Sequence, residues 1–120
     1  MAVSLTALVA PWDVAQVAMS ATAGLAVAVT LPKWAGRLTV TFYEENTNAT
    51  ATTGELEREG TDGGAIGVNA FPIASGQTFS AAVRSKRQGS GLLGTSAVIY
   101  LACGVNSGFA QVHLHEDTEA

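Results

Sequence analysis

Charge is scarce in this chain. Lys, Arg, Asp and Glu make up 13% of its 120 residues, about half of the usual ~25%. A chain kept open by self-repulsion needs more charge and fewer β-branched residues, so intrinsic disorder is excluded. Basic residues are scarcer still: six against ten acids, a net charge of −4. No basic stripe faces a phosphate backbone, which excludes a nucleic-acid binder. There is a single cysteine, Cys103, and therefore no internal disulfide framework. It sits in an apolar run with no evident His or helix N-terminus to activate it, and reads as a small hydrophobe. No apolar run approaches the ~18 residues of a membrane span. Met1–Val9 lacks a basic leader, and Pro11-Trp12-Asp13 interrupts the apolar stretch, so the expectation is a protein made in a cytoplasm and outside any membrane. Also missing are G-x-S-x-G, H-E-x-x-H, a P-loop and G-x-G-x-x-G. The reading is of a non-enzyme without a cofactor.

What is present is alternation with a period of two. In Leu38-Thr39-Val40-Thr41-Phe42-Tyr43, Leu38, Val40 and Phe42 fall on one face of a strand and Thr39, Thr41 and Tyr43 on the other. The pattern recurs at Val3–Val9, Leu25–Thr30, Phe79–Arg84 and Gln111–His115. About eight strands follow: Val3–Val9, Val14–Met19, Leu25–Thr30, Arg37–Glu44, Ile66–Phe71, Phe79–Lys86, Ser96–Cys103 and Phe109–His115. Val14–Met19 competes with a helix capped by Asp13, and the β-rich surroundings favour the strand. Glu45–Gly64 reads as a long irregular stretch, with a short hairpin at Thr52–Arg58. Gly76 supplies the positive φ for a turn at Pro72–Gly76. Gly104–Gly108 reads as a hairpin loop. Sequential strands without a βαβ rhythm give one all-β domain over residues 1–120, an antiparallel β-sandwich of the jelly-roll kind, with 116–120 as a frayed acidic tail.

Several features invite a functional reading. Ala97–Cys103 is apolar on both faces, so its outer face is covered by another part of this chain or by a second subunit. Leu92-Leu93 in a Gly/Ser loop is either a lid over the sandwich end or an anchor in a partner's pocket. Trp34, behind Pro32, is either a core plug or an exposed anchor. The basic cluster Arg84, Lys86, Arg87 can meet an acidic patch. Interface candidates are therefore Trp34, Arg87, Leu92, Leu93 and Tyr100. His113 and His115 share a strand face where a nearby carboxylate could complete a metal site, but zinc wants three or four ligands at fixed geometry and two histidines at i, i+2 are common on outward strand faces. Six of the ten acids lie between Glu44 and Asp62, a segment read as too polar for the core. Glu55, Glu57 and Glu59 read as solvated, with no paired carboxylates across a cleft and no calcium-loop spacing. The segment either docks electrostatically on a basic partner or is a solubilising loop.

Trp34–Val40, Pro72–Phe79 and Val98–Gly108 together resemble the small jelly-roll accessory proteins of tailed-phage virions. The resemblance is one of texture across most of Leu25–His115. It implies a virion structural protein on the capsid exterior, made in the host cytoplasm, that binds the major capsid protein, bridges coat subunits and forms a homo-oligomer, either a dimer or a trimer. Small carbohydrate-binding sandwiches of tail fibres or spikes share the texture and form the alternative. They call for a row of exposed aromatics or a calcium site, whereas this chain has only four Phe, two Trp and two Tyr.

Overall fold

A computed structural model describes residues 2–9, 12–47, 49–67, 70–82 and 98–116. They form nine strands and no helix: β1 Val3–Ser4, β2 Trp12–Ala18, β3 Val27–Thr30, β4 Ala35–Tyr43, β5 Gly54–Glu57, β6 Phe71–Ile73, β7 Phe79–Ala82, β8 Val98–Cys103 and β9 Phe109–Glu116. One sheet runs β1-β3-β8-β5-β6 and the other β2-β9-β4-β7. All pairings are antiparallel except β1 with β3. The chain is a β-sandwich.

The strands nest. β5 pairs with β6, β4 with β7, β3 with β8 and β2 with β9, so the chain before the β5–β6 connection is matched strand by strand with the chain after it. Successive pairs alternate between the two sheets. The alternating positions explain why the sheets face each other. Leu38, Val40 and Phe42 of β4 and Val112 and Leu114 of β9 are fully buried, and they meet Val27, Val29, Leu56, Ile99 and Leu101 of the opposite sheet in one core. Outward positions alternate with these along each strand, as half-buried surfaces require.

Four expectations are corrected. Residues 3–9 do not form one strand: after Ser4 the chain turns at Thr6-Ala7, with the Leu8 amide bonded to the Leu5 carbonyl at 3.1 Å. Within 52–58, β5 is a strand inside the first sheet, flanked by β8 and β6. It is no hairpin of its own, and Leu56 at its centre is fully buried. The expected strand over 66–71 lies instead at Phe71–Ile73, where Pro72 is tolerated because β6 is an edge strand. Residues 104–108 are no hairpin loop. β8 and β9 belong to different sheets, so the segment arches across the ~10 Å between layers, within reach of five residues. At residues 14–19 the strand favoured over a helix is found, as β2 runs extended along β9. The turn at Gly76 does use a positive φ, 77°.

Candidate functional site

The candidate site lies on the outer face of the first sheet. In the row Ala28–Tyr100–Glu57, three adjacent strands present outward side chains in register. Leu56, Leu101 and Val27 form the inward row beside it. After β5 the chain does not run off into solvent. Residues 58–66 cross this face and dock on the edge of β3. There the Gly63 amide bonds to the Ala26 carbonyl at 2.8 Å, the Ala26 amide to Gly64 at 2.8 Å, and the Ile66 amide to Gly24 at 3.0 Å. Asp62 Oδ1 accepts the Ala28 amide at 3.0 Å. Gly63 makes the turn with a φ of 80°, a conformation that favours glycine. Ala26, Ala28 and Ala102 are buried, and a Cβ at Gly60 would come within 3.3 Å of Tyr100 Cγ. The doubly apolar β8 is thus covered, at least around Tyr100, by its own chain.

The Ala28 amide holds the Asp62 carboxyl below its ordinary value of 3.8. A carboxyl whose folded pKa is depressed stabilises the fold above its unfolded value, and that contribution is lost as pH falls through the folded value. The Asp62→Asn variant is therefore expected to melt below the wild type above pH 3.8, with the gap closing under more acidic conditions. Melting curves at stepped pH check this, and a gap that does not change with pH contradicts it.

Glu57 lies under the strap. It exposes only 9% of its surface. Its carboxylate fills space that side chains at Gly60 and Gly67 would occupy, since a Cβ at either position overlaps it. Beside it opens a pocket of about 420 Å³, lined among the described residues by Glu57, Arg58, Glu59 and Phe71. Phe71, in register with inward-facing Leu56 on the edge strand β6, lines the pocket from the margin of the sandwich, where its ring stacks at a tilt on Phe79 of the second sheet with centroids 5.4 Å apart. The expectation that Glu57 is solvated is corrected, because the strap shields it.

The residues singled out in the sequence do not converge. Tyr100 is half-buried beside Glu57. Trp34 lies elsewhere, half-buried against the core, with its indole N–H donated to the Leu8 carbonyl at 2.9 Å. Arg87, Leu92 and Leu93 lie outside the described residues. His113 and His115 point outward on β9, opposite Val14 and Trp12 of β2 and Thr39 and Arg37 of β4. Among the described residues no cluster of three His, Cys, Asp or Glu is arranged to hold a metal ion, and no helix is long and apolar enough to cross a membrane. Sequence reasoning missed Glu57 and Phe71 as pocket residues. The available signal was the alternation Glu55-Leu56-Glu57, with glycines at 60 and 67.

Cys103 is buried in the core, and burial pushes its thiol above the ordinary value. A thiol held protonated and enclosed reacts only on opening. Labelling with a disulfide reagent at pH 8 is expected to be at least roughly 100-fold slower in the native protein than in urea. Equal rates contradict the burial.

Comparisons of the chain with protein-family models, with curated proteins and with solved structures found no match to any of them.

Proposed function

We propose that this chain is a jelly-roll virion structural protein that decorates a tailed-phage capsid from outside, bridging coat subunits as a dimer or trimer and without catalysis. The nested strand pairing supports the jelly-roll reading, since folding a long hairpin into two facing sheets gives that topology. The observation that carries the functional reading is the outer face of the second sheet. Its middle rows are Gln16–Gln111–Thr41 and Val14–His113–Thr39–Ser80. Thr39 and Ser80 share a hydroxyl bond of 3.4 Å, and Thr41 and Thr78 one of 3.0 Å. None of these rows holds an acid, a lysine or an arginine, and Val14 remains 42% exposed. A face without carboxylates, lysine or arginine is cheap to desolvate against another protein, because few ionised groups lose their water. Several copies in one oligomer add their contacts multivalently.

Cosedimentation with undecorated tailed-phage capsids tests the reading. The protein is expected to pellet with capsids and to saturate at a fixed number of copies per particle. Absence from the pellet, together with specific binding on a glycan array, replaces it with the sugar-binding alternative.

A further inference from the structure

We propose that the Glu57 pocket receives a basic side chain, an arginine or a lysine, from a partner protein. The identification of that partner as coat protein rests on the proposed function, whereas the chemistry of the pocket does not. Glu57 is nine-tenths buried, and among the described residues no hydrogen bond or ion pair satisfies its carboxylate. A buried carboxylate without a counter-charge is unfavourable, and proteins retain such groups where a ligand supplies the missing charge. Gly60 and Gly67 leave the space it occupies, so the carboxylate sits where any side chain at these two positions would displace it.

The pocket wall matches the rest of such a side chain. Among the described lining residues Glu59 adds a second negative charge and Arg58 one positive, which leaves that part of the rim net negative and suited to a monocation. Phe71 offers an aromatic surface for cation–π contact. An arginine or lysine brings an apolar stem with its charged head, and so satisfies the ring and the carboxylate together. A divalent metal fits poorly, because no third ligand of the His, Cys, Asp or Glu type joins the cluster among the described residues.

The test is an NMR titration of the whole chain with Nα-acetyl-arginine amide, Nα-acetyl-lysine amide and the neutral Nα-acetyl-citrulline amide. Both cations are expected to give saturable shifts at Glu57, Gly60, Gly67 and Phe71 below about 100 mM, and citrulline none. Glu57→Gln is expected to weaken cation binding at least about tenfold, with a melting temperature unchanged or raised because the unpartnered charge is gone. Phe71→Leu keeps an apolar wall without a π face and is expected to weaken binding roughly threefold. Equal binding of citrulline, or no saturable shift with either cation, overturns the proposal. So does unchanged affinity in Glu57→Gln, or in Phe71→Leu should Glu57→Gln fail to fold. On capsids, Glu57→Gln is expected to lower retention by a similar factor, and unchanged retention alongside lost cation binding overturns the assignment to a coat-protein side chain. If the cations bind while the wild type does not pellet with capsids, the decoration reading fails and the chemistry of the pocket stands.

Discussion

Replacing Gly54 with alanine is expected to destabilise the protein by about 3 kcal/mol, at the upper end of what overpacking a core costs. Gly54 sits at the start of β5 opposite Cys103 of β8, and a Cβ there would overlap the Phe42 ring. That ring is fully buried in the centre of the core, so it cannot swing into solvent to make room. In a domain of this size the loss corresponds to a fall in melting temperature of roughly 10 °C. Phe42→Leu removes the clashing ring atoms at its own cost of packing. The double variant Gly54→Ala/Phe42→Leu is therefore expected to be less destabilised than the sum of the two single changes, and a thermodynamic cycle over the four proteins measures the coupling. Simple additivity contradicts the contact.

Leu56→Ala is expected to cost about 2–5 kcal/mol, the range for a leucine truncated inside a core. Leu56 is fully buried, with Leu101 opposite it on one side and Phe71 on the other. The same change in an exposed polar loop falls within about ±0.5 kcal/mol. Urea unfolding with an unchanged m-value checks the result. A loss under 1 kcal/mol means that β5 does not hold the place it has here between β8 and β6.

These two residues mark where the sequence was hard to read. β4 and β9 were legible because three or more apolar residues alternate with Thr, Gln or His in each, enough to fix both the strand and its inward face. β3 was legible from Val27 and Val29 for the same reason. β5 has one apolar residue, Leu56, between two glutamates, and in isolation that is the composition of a surface loop. Only long-range pairing with β8 makes it a strand, and pairing partners leave no local signature. The arch at 104–108 failed for a related reason. Gly, Asn and Ser permit a tight turn within one sheet and a crossing between two sheets equally well, and what decides is the opposite facing of Leu101 and Val112 across the core. The pocket was invisible because Glu57 is buried by residues 58–67, which reach the β3 edge through backbone hydrogen bonds. Asp62 contributes a carboxylate cap on Ala28 that composition could not assign. Trp34 read as either a core plug or an exposed anchor, and local sequence could not choose between them; it is partly buried against the core, with its indole bonded to Leu8.

The proposed stabilisation of a capsid by this sandwich is tested most directly by the rupture temperature of undecorated tailed-phage capsids with and without the purified protein. Rupture is followed by release of packaged DNA to an intercalating dye. Binding that favours the intact shell raises its apparent stability by mass action, in proportion to the logarithm of protein concentration above saturation. Capsid decoration predicts a higher rupture temperature that rises with added protein. An identical rupture temperature at every protein concentration would contradict it.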